Sequence, residues 1–224
     1  MIYVLPNILP DTLVEKIRQL AADAEFVDGM RTAGIGVAHS KRNEEISTDS
    51  DVVQEINQEV KAGLARNNDF QIVTIPRQLS NFLVSRYTPG MTYGDHTDNA
   101  ILGGRMRSDM SMTIFLNDPK EYDGGELVMN TDIRPERYKL PPGHAVIYPT
   151  YFLHRVAPVT RGTRLAVVGW IQSMVRDPFQ RQILIDLAVS LNFFLQNTKE
   201  KFAHPEYIRL DKVYNNLKRQ WVEM

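Results

Sequence analysis

The sequence predicts a mainly β fold, a sandwich or jelly roll with helices before and after its strands. Seven short apolar segments lie between residues 71 and 174 and are separated by turn sequences such as Pro89-Gly90 and Asp123-Gly124-Gly125. Many short strands joined by turns, with few helices between them, are typical of these two folds. Outside that range apolar residues recur with a helical period, which predicts helices at both ends of the chain.

The N-terminal segment 1–70 comes first and is predicted to form helices that pack on the strands. Thr12-x-x-Glu15 has the form of a capping box, and an apolar stripe follows it, so the first helix is predicted here. A second helix is predicted over Ser50–Ala65. The polar, glycine-containing segment Ala33–Ser47 between them is predicted to be a long loop or a weak strand.

The middle of the chain supplies the predicted β core. Its candidate strands are rich in β-branched and aromatic residues and are bounded by glycine and proline. They are Gln71–Pro76, Leu79–Tyr87, Met110–Leu116, Glu126–Asn130, Ala145–Tyr148, His154–Val159 and Arg164–Ile171. We therefore assign residues 1–175 to one domain that includes the N-terminal helical segment.

Residues 176–224 are predicted to form a C-terminal helical extension. Its first helix carries an apolar stripe of five residues at helical spacing, which are Phe179, Ile183, Leu187, Leu191 and Phe194. The stripe either packs on the chain's own sheet or forms the contact of a homodimer.

The composition is that of an ordinary soluble globular protein. The 224 residues are 43% apolar and 24% charged, and 26 basic against 27 acidic side chains leave a net charge of −1. This balance gives no electrostatic footprint for nucleic acid, and no apolar run approaches the ~20 residues of a membrane helix. Cysteine is absent, which excludes disulfides and thiol catalysis. The start has no signal-peptide pattern, so a cytoplasmic location is expected.

Two of the five histidines suggest a metal site. His96 and Asp98 are two residues apart, so on a strand they would face the same side. This motif is weak alone, because His204-Pro205-Glu206 matches it too, at a presumed helix start. His154 follows in an apolar, β-prone segment and could add the third ligand of a site with two histidines and one carboxylate, which suits non-haem iron.

Arg164 is the second unusual residue, because it opens a strongly apolar segment, Leu165–Ile171. A buried guanidinium needs a carboxylate partner, since an unpaired buried charge is costly. That partner is either an internal acidic residue or the carboxylate of a bound ligand, which arginine binds with two parallel hydrogen bonds.

The motifs together resemble a known family. Arg86–Asp98 is similar to the R-Y-x-x-G-x-x-Y-x-x-H-x-D segment of prolyl-4-hydroxylase-like dioxygenases, which depend on Fe(II) and 2-oxoglutarate. Tyr122–Leu127 resembles their G-G-E-L strand, and Pro142–Val156 resembles their P-G-x-A…L-H-x-V stretch, with Gly162-Thr163-Arg164 at the end. The N-terminal segment and the helical tail further resemble the bacterial PKHD-type hydroxylases.

The resemblance implies a double-stranded β-helix, that is, a jelly-roll core. It implies His96, Asp98 and His154 as iron ligands and Arg164 as the anchor of the far carboxylate of 2-oxoglutarate. Tyr87 matches a family tyrosine that hydrogen-bonds the same carboxylate. His144 is interpreted as a structural residue or a neighbour of the ligands, and Tyr93 as an aromatic packed beside a turn. Trp170 is interpreted as a core residue, with a place in the wall of the pocket as the alternative.

The implied activity is hydroxylation with O2, Fe(2+) and 2-oxoglutarate, releasing succinate and CO2. An aspartate in the ligand set argues against halogenation, in which chloride takes that position. Analogy adds L-ascorbate as an agent that restores oxidised iron. The substrate is expected to be a peptidyl proline, an amino acid or a small metabolite. The alternatives are a cupin-like jelly-roll metalloprotein that does not use 2-oxoglutarate, a zinc hydrolase and a non-catalytic jelly-roll binding module.

Overall fold

The computed structural model describes residues 1–34, 36, 38–131 and 133–223. The α-helices of this part of the chain are α1 (Asp11–Ala22), α2 (Asp51–Arg66), α3 (Asn68–Thr74), α4 (Pro178–Asn197) and α5 (Pro205–Trp221). Short 3-10 helices cover Gly29–Thr32, Ala38–Ser40 and Lys201–Ala203. None of the described helices combines the length and the apolar character that a membrane span requires.

Most of the described strands lie between α3 and α4, and four short ones precede α3. In chain order they are β1 (Tyr3–Leu5), β2 (Phe26–Asp28), β3 (Lys41–Arg42), β4 (Glu44–Ile46), β5 (Pro76–Leu79), β6 (Leu83–Tyr87), β7 (Thr92–His96), β8 (Ile101–Leu102), β9 (Met106–Arg107), β10 (Met110–Phe115), β11 (Asp123–Gly124), β12 (Leu127–Asn130), β13 (Pro135–Tyr138), β14 (Ala145–Pro149), β15 (His154–Val156), β16 (Val159–Arg161) and β17 (Arg164–Ser173).

Two antiparallel sheets hold most of these strands. The larger has the order β1-β14-β10-β17-β6-β4-β2, with β5 also paired to β17, and the smaller has the order β13-β12-β15-β7-β3. From β6 to β17 the main strands alternate between the sheets, so that β6, β10, β14 and β17 join the larger and β7, β12 and β15 the smaller. This alternation is that of a jelly roll, and it confirms the predicted mainly β fold with flanking helices.

The two faces of the larger sheet carry different residues because side chains alternate along a strand. Met112 and Ile114 of β10 and Val167 of β17 point outward and share one apolar cluster with residues of α1 and α2, among them Ile17, Val60 and Leu64. The intervening residues, including Thr113, Arg164 and Val168, face inward and line a cavity between the sheets. The N-terminal helices therefore cover the larger sheet from outside, as predicted.

The predicted strand Gln71–Pro76 is wrong, because its first four residues belong to helix α3. The Asn67 side chain accepts a hydrogen bond from the Phe70 N–H and begins the helix, and Ile75 ends it in the left-handed conformation. The β-branched residues that suggested a strand supply the buried side of this short helix instead. A strand begins only at Pro76, with β5.

The predicted capping box is also wrong. Helix α1 begins at Asp11, and its N-cap is Pro10, which offers no side-chain acceptor, so Thr12 lies inside the first turn. Helix α2 forms as predicted, with Ser50 accepting a hydrogen bond from the Val53 N–H. The predicted loop Ala33–Ser47 contains the strands β3 and β4; Ile35 and Val37 of this segment lie outside the described residues.

The first half of the predicted C-terminal stripe does not pack on the chain's own sheet. Phe179 is 79% exposed and Ile183 is exposed too, whereas Leu184 and Ile185 are buried beside Arg181. Arg181 is buried because its guanidinium donates to the carbonyl oxygens of Val175 and Arg176. Of the two roles predicted for the stripe, packing on the chain's own sheet is therefore wrong for Phe179 and Ile183, and the homodimer contact stays a prediction.

The C-terminal helices contact the rest of the chain at several points. The Tyr3 hydroxyl donates to the Gln182 side chain, and the Glu223 N–H donates to the Met174 carbonyl. The division into a domain 1–175 and an extension 176–224 stays a prediction, and Met224, the last residue of that range, lies outside the described residues.

Candidate metal centre and cosubstrate pocket

His96, Asp98 and His154 come together where two neighbouring strands meet. His96 ends β7 and His154 begins β15, and the register of these strands places the two residues directly opposite each other. Asp98 follows two residues after His96. The candidate ligand atoms of the three side chains all lie within 4.8 Å of one another. Pairing of adjacent strands thus closes the gap of 58 residues that separates the two histidines in the sequence.

Both histidines are oriented by the backbone carbonyl group two residues before them. Nδ1 of His96 lies 2.8 Å from the Gly94 carbonyl oxygen, and Nδ1 of His154 lies 2.9 Å from that of Phe152. Since a carbonyl only accepts, each Nδ1 carries the proton, which leaves the Nε2 lone pair free for a metal. Each Nε2 lies 3.8 Å from one oxygen of Asp98.

His96 is in its neutral form at neutral pH. Burial and, to a smaller extent, the neighbouring His154 lower the pKa of His96 to about 4. A metal binds the unprotonated imidazole, so His96 is ready to bind without losing a proton at neutral pH.

A cavity of about 240 Å³ opens between the sheets beside the three residues. Arg164 lies in its wall, on β17, and is only 1% exposed. Its Nε and Nη1 atoms have no hydrogen-bond partner among the described residues, and no described carboxylate forms an ion pair with it. The sequence left two partners possible for Arg164, an internal acidic residue or the carboxylate of a ligand. Among the described residues no acidic side chain takes that role.

Tyr87 lies directly across from Arg164 in the pairing of β6 with β17. The guanidinium carbon is 5.0 Å from the centre of the Tyr87 ring, which provides a favourable cation–π contact. Burial raises the pKa of Tyr87, so its hydroxyl keeps its proton and can donate into the cavity. Arg164 and Tyr87 together form a cationic, donor-rich end of the cavity.

Sequence comparison agrees with this chemistry. The family model described as the 2OG-Fe(II) oxygenase superfamily matches residues 82–172. A PKHD-type hydroxylase of Picosynechococcus is 43% identical over the whole of both chains. Another, from Xanthomonas campestris, is 40% identical over the whole of both chains. The chain belongs to the PKHD-type hydroxylases.

Solved structures show the same fold at low sequence identity. A Pseudomonas putida prolyl-4-hydroxylase matches with a TM-score of 0.53 and 19% identity, covering 77% of this chain and 92% of that one. A prolyl hydroxylase of Trichoplax adhaerens, solved with a hypoxia-inducible-factor peptide, matches with a TM-score of 0.55 and 16% identity, covering 81% and 86%. Membership of this family makes the protein an Fe(II)- and 2-oxoglutarate-dependent dioxygenase and disfavours the cupin-like and binding-module alternatives.

This PKHD-type hydroxylase also has a buried ion pair in the cavity wall that the sequence did not reveal. Lys41 Nζ lies 2.7 Å from Glu45 Oε1 and donates to the Thr32 hydroxyl at the same distance. Glu45 also accepts from Thr32, Asn43 and Ser85. In the sequence Lys41 and Glu45 belong to a short run of mostly charged residues, 41–45, and such a run is typical of a solvated surface.

Two aromatic residues lie closer to the site than their sequence interpretation suggested. Tyr93 packs on its neighbours as predicted, but its ring also stacks on His96 at a centroid distance of 3.6 Å and lines the cavity. Trp170 is half-buried and lines the cavity, so the preferred interpretation as a core residue is wrong and the alternative, a place in the wall of the pocket, is confirmed. Its indole Nε1 has no partner among the described residues.

His144 stays outside the group of candidate ligands. Its Nδ1 lies 3.2 Å from the Pro142 carbonyl oxygen, two residues back, as in the two histidines of the site. The described residues that could hold a metal nevertheless include only His96, Asp98 and His154. The local hydrogen bond alone therefore does not mark a ligand.

Proposed function

We propose that His96, Asp98 and His154 bind Fe(II), and that Arg164 with Tyr87 binds the far carboxylate of 2-oxoglutarate. The observation that supports this most directly is the buried guanidinium of Arg164, which lacks a partner on the cavity that the three candidate ligands border. A carboxylate arriving with a ligand would remove the cost of that unpaired charge.

The charges of the assembled site support the same assignment. Iron brings two positive charges and 2-oxoglutarate two negative ones, Asp98 opposes Arg164, and Lys41 is already neutralised by Glu45. The loaded cavity would therefore carry almost no net charge, so it could be shielded from water without a large desolvation penalty. Apolar wall residues such as Leu127, Val156 and Val168 would help to exclude water.

The residues of the chain mainly bind and orient in this proposal. Bound iron would supply the oxidative chemistry, in which O2 converts 2-oxoglutarate to succinate and CO2 and a C–H bond of the substrate is hydroxylated. With His96, His154 and Asp98 as its ligands, the iron would have three positions left open for 2-oxoglutarate and O2. Arg164 and Tyr87 would hold the opposite end of the cosubstrate.

The substrate we propose is a peptidyl proline, an amino acid or a small metabolite. The Trichoplax enzyme was solved with a peptide, which supports the first of these for that enzyme and suggests it for this one. L-Ascorbate as a reductant, a cytoplasmic location and a homodimer through the C-terminal helices stay predictions. Sedimentation of the purified chain would test the last of them.

Succinate formation tests the proposal. We expect the purified protein with Fe(II), 2-oxoglutarate and O2 to form succinate even without its substrate, through uncoupled turnover. His96→Ala should abolish this, whereas His144→Ala should not, although both remove a histidine bonded to a carbonyl two residues back. Absence of succinate together with absence of 2-oxoglutarate binding to the oxygen-free Fe(II) protein would contradict the proposal.

A further inference from the structure

The three candidate iron ligands differ in what holds them in place. His96 and His154 are oriented by backbone carbonyls, which no substitution removes. Asp98 is held by a side chain, because the Ser111 hydroxyl donates to its Oδ2 atom at 2.6 Å. Ser111 lies on β10 of the larger sheet, opposite the sheet of the two histidines, and is completely buried.

Ser111 belongs to a small cluster of buried hydroxyls. Thr150 Oγ1 lies 3.3 Å from Ser111 Oγ and 3.1 Å from Ser108 Oγ. The buried Tyr148 side chain lies beside Ser111 and Thr113 on another side. Ser111 has a single hydroxyl hydrogen, and a carboxylate only accepts, so the 2.6 Å contact with Asp98 requires Ser111 to be the donor. The 3.3 Å contact with Thr150 is the weaker of the two, and the contact with Asp98 therefore decides the direction in which Ser111 donates.

The position of Ser111 on its strand is itself informative. Its neighbours Met110 and Met112 turn to the apolar cluster under the helices, which leaves Ser111 on the opposite, cavity-facing side of the sheet. An apolar residue would fit this completely buried position without needing any hydrogen bond. A hydroxyl there is costly unless bonded, and its short contact is with the candidate iron ligand.

We propose that Ser111 is the positioning residue of Asp98, occupying Oδ2 so that the carboxylate offers a single oxygen, Oδ1, to the iron. This rests on the proposed function. A carboxylate that bound through both oxygens would take one of the three positions that 2-oxoglutarate and O2 need. Ser111 thus keeps the site open as well as keeping the ligand in place.

Metal binding by the metal-free protein is the main test. We expect Ser111→Ala to weaken the binding of Co(II) and Mn(II) by about tenfold or more, as removal of other outer partners of metal ligands does. The visible spectrum of bound Co(II), which depends on the number of ligand atoms, should change as well. Ser111→Thr keeps the hydroxyl and should restore the affinity to within about threefold of the wild type.

Ser108→Ala is the matched control. It removes a buried serine hydroxyl from the same cluster, but one that contacts Thr150 and not Asp98. We expect its metal affinity and Co(II) spectrum to stay those of the wild type. Equal losses in both alanine variants, or a folded Ser111→Ala variant with unchanged metal affinity, would overturn the positioning role. If the wild type itself bound no Fe(II) and no 2-oxoglutarate, the proposed function would fail instead.

Discussion

Lys41 and Arg164 are two cations buried against the same cavity, and they differ in what compensates their charge. The Lys41 ammonium is 2.7 Å from the Glu45 carboxylate, and both side chains are almost inaccessible to solvent. The Arg164 guanidinium is buried even more completely, yet two of its nitrogen atoms have no partner among the described residues. One charge is therefore neutralised within the chain, and the other is left open towards the cavity.

The difference separates a structural charge from a binding charge. Lys41 lies on β3, the edge of the smaller sheet, and Glu45 lies on β4 of the larger sheet, so their ion pair joins the two sheets at one edge of the jelly roll. Arg164 forms no such ion pair between the sheets with any described residue. A buried cation without a partner costs stability, so its presence is best explained by a ligand that brings the missing carboxylate.

The largest expected effect comes from breaking the structural pair. Glu45→Leu leaves Lys41 buried without its anion, and we expect the free energy of unfolding to fall by about 3–5 kcal/mol. Urea denaturation followed by circular dichroism measures this. The double variant Lys41→Met/Glu45→Leu should recover most of the loss, because it leaves no uncompensated charge. A double variant as unstable as the single one would show that packing at this edge matters more than charge.

The next effect concerns the binding charge. Arg164→Met removes the proposed partner of a carboxylate, and we expect 2-oxoglutarate to bind the oxygen-free Fe(II) protein roughly 100-fold more weakly. The free energy of unfolding should stay the same or rise, since an unpaired buried charge disappears. Arg164→Lys should also weaken 2-oxoglutarate binding while leaving iron binding intact, because lysine lacks the planar fork.

Arg161 is the control for that prediction. It lies three residues away, is exposed, and is already paired with Asp123 at 2.6 Å. Arg161→Met should therefore leave 2-oxoglutarate affinity unchanged. If it weakened binding and Arg164→Met did not, the assignment of the anchor would pass to Arg161.

The last prediction concerns His96, which is buried near the two cations but stays neutral at neutral pH. Burial lowers the pKa of His96 to about 4, so the folded protein binds a proton there less readily than the unfolded chain, whose histidines titrate near 6.5. Stability from this group is therefore complete above pH 6.5 and is lost as the pH falls towards 4. We expect the metal-free protein to lose at most about 3 kcal/mol over that interval, the amount that a pKa lowered from 6.5 to about 4 implies. A folded His96→Asn variant should show a correspondingly shallower pH dependence in urea denaturation.

The sequence predicted the chemistry of the site better than the packing around it. His96-x-Asp98, His154 and Arg164 were found because each stands out locally or matches a family motif, and the structure brings all four to one cavity. Trp170 was assigned to the core because an apolar strand looks the same whether one of its faces borders a cavity or other side chains.

Residues that act only through distant partners could not be predicted. Lys41 and Glu45 lie in a polar run, and nothing local shows that strand pairing buries them together. Ser111 is a small polar residue in a strand, and its contact with Asp98 depends on the approach of two different sheets. Helix α3 was missed for a related reason, since its β-branched residues favour a strand until the Asn67 cap and tertiary burial decide otherwise.

The opposition of His96 and His154 across two paired strands has a consequence for the newly made chain. A slip of one residue between β7 and β15 would turn one imidazole to the other side of the sheet. Iron binding by the three proposed ligands would therefore require the correct register, the turn to Asp98 and the approach of the second sheet at the same time. A half-folded chain would not assemble the proposed centre, so its oxidising chemistry would begin only after the protein has folded.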